Sequence, residues 1–183
     1  MINKSTEKLD DLSSLEILKK CNLCPRKCFV NRLDDELGYC NASGYIKVAK
    51  VSLHYWEEPC ISGELGSGTV FFSHCNLKCV FCQNYKISHD GYGKTISINR
   101  LSEIFLEQQK RGALNINLVT PTHYVPQIIE SLKLAKQSGL SIPILYNSNG
   151  YENIDTIKSL KGFIDVYLPD LKYYADKYAL KYS

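Results

Sequence analysis

The pattern of apolar and polar positions predicts strands alternating with helices from about residue 63 onward. Four short apolar runs are typical of buried strands and lie at residues 68–72, 115–119, 142–146 and 163–168. Apolar residues at helical spacing lie between or after them, at residues 101–110, 126–139 and 154–162, and Asn99 is the expected N-cap of the first helix. Strand–helix repeats at roughly 25–30 residue spacing predict an α/β fold with a parallel sheet.

The N-terminal third is patterned differently. Residues 5–20 predict an amphipathic helix, and the alternation over residues 44–56 predicts a strand in a hairpin with the preceding turn. We therefore predict two units: a cysteine-rich extension over residues 1–62 and an α/β unit over residues 63–183.

Composition narrows the class of protein. The chain has 183 residues, of which 44% are hydrophobic and 22% charged, as in ordinary globular proteins. The net charge of +3 gives no indication of a nucleic-acid partner. No apolar run approaches the ~20 residues that span a bilayer, and residues 1–20 lack the apolar segment of a secretory signal. We expect a cytoplasmic protein with no membrane partner.

Eight cysteines are the chemical feature of this chain that most needs an explanation. A disulfide framework belongs to secreted proteins, which the N-terminal residues do not indicate. Cysteines separated by two or three other residues in a cytosolic protein predict metal or iron–sulfur ligation instead.

The stretch Cys75-x3-Cys79-x2-Cys82 follows the first predicted strand of the α/β unit. Its three thiolates can ligate three irons of a [4Fe–4S] cluster, which usually takes four cysteines. The fourth iron would be open to another ligand, and an open iron is a site for chemistry.

A second group is Cys21-x2-Cys24-x3-Cys28-x11-Cys40. Four cysteines in 20 residues predict a compact metal-binding knuckle, for which zinc and a second cluster both fit. Cys60 stands apart from both groups, and we favour a small buried apolar role for it over that of a spare ligand.

Polar clusters follow the other predicted strands, at residues 120–123, 147–150 and 169–172. The carboxyl ends of parallel strands are where barrels and open α/β sheets bind their ligands. We therefore expect these loops and the Cys75–Cys82 loop to build one site.

The cysteine motif, with Phe81 before its last cysteine, resembles the signature of the radical S-adenosylmethionine (radical SAM) superfamily. A wider stretch resembles the subgroup of pyruvate formate-lyase activating enzyme-like proteins, in the segments Glu58–Gly63, Gly66–Ser73 and Cys79–Asn84. The resemblance runs from about Cys21 to the end of the chain.

The resemblance implies a partial (βα) barrel, which in this superfamily generally has six strand–helix units. Only four strands are predicted from Gly68 onward, and residues 173–183 read as the start of another helix. We therefore expect a barrel that is truncated at its C-terminus by about two units.

The resemblance also implies a chemistry. S-adenosylmethionine (SAM) binds the open iron, and a reduced cluster cleaves it to methionine and a 5′-deoxyadenosyl radical. By motif, Cys75, Cys79 and Cys82 are the cluster ligands. The implied SAM contacts are the Asp-x-Lys pair Asp170 and Lys172, then Asn147, Asn149 and Gly150, and His123. The stretch Thr120–His123 replaces the Gly-Gly-Glu-Pro run found in many members.

Three functions follow from these expectations. The first is an activase that makes a glycyl radical on a partner enzyme and takes electrons from a one-electron donor such as flavodoxin or ferredoxin. The second is a radical SAM enzyme acting on another small molecule or macromolecule. The third is an inactive, truncated metal-binding protein.

Overall fold

A mixed six-stranded sheet forms the centre of the molecule in the computed structural model, which describes residues 13–183. The strands are β1 (Ile46–His54), β2 (Ser67–Phe72), β3 (Lys94–Ile96), β4 (Ile116–Val119), β5 (Ile144–Ser148) and β6 (Val166–Pro169). Their order across the sheet is β3-β1-β2-β4-β5-β6. The predicted α/β class is confirmed.

Strands β2, β4, β5 and β6 run parallel, whereas β1 is antiparallel to both of its neighbours, β2 and β3. One row of paired residues crosses the parallel part, from Val70 through Leu118 and Tyr146 to Tyr167. In-register parallel strands end at one edge of the sheet, so the loops that follow them meet there.

The α-helices are α1 (Pro59–Ser62), α2 (Tyr85–Ser88), α3 (Ile98–Lys110), α4 (Val125–Gln137), α5 (Ile154–Ser159) and α6 (Asp176–Tyr182). Helices α3 and α4 pack on each other. The fully buried side chains of Leu101, Phe105, Ile128 and Leu132 lie in the core cluster that joins them to the sheet. Helix α6 confirms the helix predicted near the end of the chain.

Several boundaries differ from the prediction for local reasons. Helix α3 begins at Ile98 because the Ser97 hydroxyl accepts a hydrogen bond from the N–H of Arg100, so Asn99 as N-cap was wrong. Strands β5 and β6 begin two and three residues later than their apolar runs suggested. Strand β3 was not predicted, because only three residues pair and two of them are exposed.

The N-terminal segment packs onto the same core. Of the predicted helix over residues 5–20, residues 13–20 form a 3-10 helix that buries Leu15 and Leu18, and Ile17 is exposed. The rest of that range, residues 5–12, lies outside the described residues. Strand β1 pairs with β2 and β3 rather than with the preceding turn. The predicted boundary at residue 62 therefore falls between two neighbouring strands of one sheet.

Candidate active site

An open cleft of about 340 Å³ lies at the carboxyl ends of β2, β4, β5 and β6. All three cysteines of the C-x3-C-x2-C motif line it. So do residues from each of the three predicted polar loops: Thr120, Asn147, Asn149, Asp170 and Lys172. The expectation that four strand-end loops build one site agrees with this geometry.

Two residues of the cysteine loop, His74 (φ 73°) and Lys78 (φ 56°), have a left-handed backbone conformation that turns the chain. Cys75 and Cys79 are buried, and Cys82 is half-buried. The N–H of Leu77 donates to Cys75 Sγ at 3.3 Å. Burial raises the pKa of the Cys75 thiol, and the N–H groups of Lys78 and Leu77 oppose that rise. These donors are suited to a thiolate, the form that ligates metal.

Cys82 has a different partner. The Ser88 hydroxyl lies 3.2 Å from Cys82 Sγ and 2.8 Å from His89 Nδ1. His89 Nε2 lies 3.1 Å from the carbonyl oxygen of Lys78, and its ring stacks on Tyr85. A carbonyl can only accept, so Nε2 donates that hydrogen bond. The Ser88 hydroxyl has one proton and also lies 3.4 Å from the Tyr85 carbonyl oxygen, so several groups compete for that proton, and a thiolate at Cys82 would draw it to the sulfur.

Asp170 and Lys172 face the cleft as an ion pair, with Lys172 Nζ 2.5 Å from Asp170 Oδ2. Their side chains are 55% and 37% exposed, so the pair adds little to stability. The Asp170 N–H donates to the Ser148 carbonyl, which fixes the loop after β6 against the end of β5. A carboxylate and an ammonium are thus held side by side in an accessible cleft.

The loop after β5 reaches the cysteines directly. Asn149 Nδ2 lies 3.5 Å from Cys75 Sγ and 2.8 Å from Asn76 Oδ1. Gly150 has φ +70°, and a Cβ there would lie 3.2 Å from the carbonyl oxygen of Asp170. Its N–H donates to Ser148 Oγ, so Gly150 contributes backbone shape.

His123 does not line the open cleft. After β4 the chain turns into a 3-10 helix at Thr122–Tyr124, which carries the His123 ring into the interior. Its Nε2 donates to the Ser73 carbonyl at 2.7 Å, and burial lowers its pKa to about 3. The structure therefore places His123 outside the cleft in which the SAM contacts are expected. Of the Thr120–His123 stretch, only Thr120 lines the cleft.

His123 lines a second cavity instead, which we call the N-terminal cysteine cavity. It holds about 20 Å³ and is lined by all four cysteines of the N-terminal group: Cys21, Cys24, Cys28 and Cys40. Cys60 is exposed on α1 and lines neither space, so the buried role favoured for it was wrong. All eight cysteines are free thiols.

Within residues 13–183 no three His, Cys, Asp or Glu side chains are arranged to hold one metal ion. A four-iron cluster does not need that arrangement, because each thiolate ligates a different iron. Three free thiols on one cleft wall, with N–H and O–H donors at two of them, fit such a cluster.

Comparison with known protein families decides the class. The model of the Radical SAM superfamily matches residues 69–182, which include the three cysteines and every loop of the cleft. The chain belongs to the radical SAM superfamily. Membership implies an enzyme that uses a [4Fe–4S] cluster and SAM.

Two relatives come from the archaeon Methanocaldococcus jannaschii. The uncharacterized protein MJ0674 is 36% identical over 169 residues, which are 86% of this chain and 46% of that protein. The uncharacterized protein MJ0808 is 24% identical over 189 residues, or 94% of this chain and 53% of that protein. The chain thus spans about half the length of these relatives. Neither name tests the activating-enzyme-like subgroup, and the C-terminal truncation stays a prediction.

Three residues near the cleft were missed from the sequence. His74 lines the cleft, and burial lowers its pKa to about 4, so the ring is neutral near pH 7. Asn76 lies between the two cysteine groups, as described below. Ser88 is bonded to Cys82 although it follows six residues later, and nothing in the pattern around it indicates a role. Asn76, by contrast, stands inside the motif and could have been singled out as a buried amide.

In the described residues no helix is long and apolar enough to cross a membrane.

Proposed function

We propose that this radical SAM enzyme is an activase, which abstracts a hydrogen atom from a glycine of a partner enzyme. Two lines support the proposal. The segments around Cys60, β2 and Cys82 resemble activating-enzyme-like proteins. The open cleft also has a rim suited to a polypeptide, and this second observation carries the proposal.

The rim consists of large apolar side chains exposed beside the cysteine loop. Phe81 is 57% exposed, Tyr174 82% and Leu171 86%. Exposed aromatic and aliphatic side chains around a concave site are typical of surfaces that bind another protein. Helix α6 holds part of this rim in place, because the Val80 N–H donates to the carbonyl of Tyr182 at 2.9 Å. A small substrate would need no such surface outside the cleft.

The residues present fit the cofactors that the superfamily uses. Cys75, Cys79 and Cys82 would hold the cluster, and Asp170 and Lys172 would bind the ammonium and carboxylate of SAM. When bound, the reduced cluster supplies the electron that cleaves SAM and releases the 5′-deoxyadenosyl radical. In this assignment the Asp170–Lys172 pair opens when the zwitterion binds, because each side chain exchanges its partner for an oppositely charged group of the ligand.

The other cleft residues have positioning roles in this proposal. Asn149 donates to Cys75 and orients that thiolate, while Asn147 offers an amide to the ribose or methionine part of SAM. Gly150 lets the chain approach Asp170 closely. A low-potential one-electron donor such as flavodoxin or ferredoxin would reduce the site.

The test is anaerobic electron paramagnetic resonance (EPR) spectroscopy of the purified chain after reconstitution with iron and sulfide. We expect a reduced-cluster signal that changes when SAM is added, together with 5′-deoxyadenosine. A glycyl radical enzyme from the same genome should then acquire a glycyl radical signal. Deoxyadenosine without any glycyl radical would favour a different substrate. A cluster signal that does not change when SAM is added would contradict the proposed SAM contacts and favour an inactive metal-binding chain.

A further inference from the structure

The N-terminal cysteine cavity carries hydrogen-bond donors for several of its sulfurs. The N–H of Tyr39 donates to Cys28 Sγ at 3.3 Å. The N–H of Arg26 and the side chain of Asn76 lower the pKa of Cys24, against a larger rise from burial. At Cys40 the charge of Arg32 and then the N–H of Ala42 lower the pKa, again against a larger rise from burial. At Cys75, as at these cysteines, burial outweighs the donors and favours the neutral thiol, so the donors would stabilise thiolates once a metal supplies the opposing charge.

Arg32 shows that this cavity needs negative charge. Its side chain is only 1% exposed. Its guanidinium donates to the carbonyls of Ala42, Ser43 and His123 at 2.7–2.9 Å, and Nη1 lies 3.8 Å from Cys21 Sγ. Among residues 13–183 it has no carboxylate within ion-pair distance. A buried cation without an anion is costly, and a metal centre with four thiolates carries net negative charge.

The spread of the four thiols favours a cluster over zinc. Four thiolates on one zinc ion at ~2.3 Å lie within about 4 Å of one another. The described chain contains no such group, either here or at Cys75, Cys79 and Cys82. Both groups thus lack a single-ion arrangement, and a cubane of iron and sulfide does not require one, because each thiolate ligates a different iron. In addition, the buried His123 lines the cavity, and its Nδ1 has no partner among the described residues.

The cavity also adjoins the cysteine loop of the open cleft. Asn76 is bonded directly to Cys75 in the chain, is 1% exposed and lines the N-terminal cysteine cavity beside Cys24. Its Oδ1 accepts from Asn149, which also contacts Cys75 Sγ. Two further contacts join the loops: Arg26 Nε donates to the Asn76 carbonyl at 3.3 Å and the Tyr39 hydroxyl to the Leu77 carbonyl at 3.4 Å.

We propose that Cys21, Cys24, Cys28 and Cys40 hold a second four-iron cluster, which passes single electrons to the Cys75 cluster across Asn76. The donor is a low-potential one-electron carrier protein. It loses one electron, the N-terminal cluster is reduced and then reoxidised, and the Cys75 cluster gains that electron. The relay rests on the proposed function, whereas the metal site itself does not.

Metal and sulfide analysis of the anaerobically reconstituted chain tests the site. Two clusters predict about eight irons and eight sulfides per chain. A Cys75→Ser, Cys79→Ser, Cys82→Ser variant should keep about half of the iron, with an EPR signal that does not respond to SAM. One zinc per chain, or no iron in that variant, would overturn the second cluster. Because this variant cannot cleave SAM, its iron content is independent of whether the proposed function is right.

The relay is tested at Asn76. The Asn76→Ala variant should retain both clusters by metal analysis. Reduction of the Cys75 cluster by flavodoxin or ferredoxin should slow about tenfold, a typical effect for a residue adjoining metal ligands. Dithionite, a small chemical reductant that does not need the N-terminal cluster, should still reduce it. Unchanged reduction by the carrier proteins would overturn the relay and leave the second cluster standing.

Asn153→Ala is the matched control. Asn153 holds the same N-terminal loop through the Asn22 carbonyl and touches no sulfur. It should loosen the loop slightly without slowing reduction. Equal slowing in both variants would assign the Asn76 effect to loop packing and would also overturn the relay.

Discussion

The two cysteine groups of this protein share one ligand chemistry and differ in access. The N-terminal group has four cysteines around about 20 Å³ of enclosed space. The second group has three cysteines on the wall of a 340 Å³ cleft that opens between strand ends. A complete set of four thiolates leaves no iron for another ligand, whereas three thiolates beside an open cleft leave one. The number of thiolates and the space beside them separate an electron-carrying site from a reactive one.

The charged side chains around the two cysteine groups also differ. Around the N-terminal group the fixed charges are cations, the buried Arg32 together with Arg26 and Lys27, and they suit a permanently anionic centre. Around the second group the charges are the opposed pair Asp170 and Lys172, which is accessible and close to neutral overall. The first environment fits a resident group, and the second fits a ligand that arrives carrying both charges.

The comparison is tested most strongly by removing one cysteine from each group. Cys79→Ser should abolish deoxyadenosine formation, because the reactive cluster loses one of only three ligands. Cys40→Ser should leave cleavage by the dithionite-reduced enzyme within about tenfold of the unaltered chain, since it affects the supporting group alone. Equal loss of deoxyadenosine in both variants, each still folded by circular dichroism, would mean that the two groups form one functional unit.

Asp170→Asn should have the next largest effect. It keeps the size of the side chain but removes the charge that the ammonium of SAM requires. We expect SAM binding to weaken by about 10- to 100-fold, or roughly 1.4–2.8 kcal/mol. Titrating the SAM-induced change of the EPR signal measures it. Asp155→Asn is the control, because Asp155 forms a similar exposed pair with Lys158 at 3.4 Å, away from the cleft. Unaltered SAM affinity in Asp170→Asn would remove this pair from the binding site.

Much of this site could be predicted from the sequence because its chemistry is carried by short, local patterns. The cysteine spacing and the polar loops after apolar runs placed Cys75, Asn149 and Asp170 together. Parallel strands in register bring their carboxyl ends to one edge, so a one-dimensional pattern was enough. The fold class followed from the same repeats.

What the sequence did not predict depends on contacts between distant segments. His123 follows the parallel strand β4, as the other predicted site residues follow their own strands, but the 3-10 helix Thr122–Tyr124 carries it into the N-terminal cysteine cavity. Strand β1 completes the sheet by pairing with β2, which a local alternation cannot indicate. Arg32 is a charged residue in a polar stretch, and only the packing of three backbone carbonyls around it shows that it is buried.

Gly150→Ala should produce a smaller effect than the charge change at Asp170. The left-handed backbone is unfavourable for alanine by about 1–2 kcal/mol, and the added Cβ would crowd the Asp170 carbonyl. We expect a lower midpoint of chemical denaturation and SAM binding weakened several-fold. Gly162→Ala is the matched control, because Gly162 has φ +82° and nothing within 4 Å of its Cβ position. If both variants bind SAM alike, the approach of Gly150 to Asp170 has no part in the site.

The smallest effect is expected at Ser88, whose hydroxyl has a partner in only one of the two cysteine groups. A hydrogen bond to a cluster sulfur stabilises the reduced, more negative form more than the oxidised form. If that difference is about 1 kcal/mol, Ser88→Ala should lower the midpoint potential of the Cys75 cluster, which Cys82 also ligates, by about 40 mV. Potentiometric EPR titration resolves the two clusters when SAM marks the reactive one. Ser62→Ala is the control, because Ser62 is buried but donates to the Glu57 carbonyl and to no sulfur. A potential that rises or stays constant in Ser88→Ala would mean that the Ser88 hydroxyl bonds to His89 or to the Tyr85 carbonyl rather than to Cys82, and that the open cluster is tuned by access and backbone donors alone.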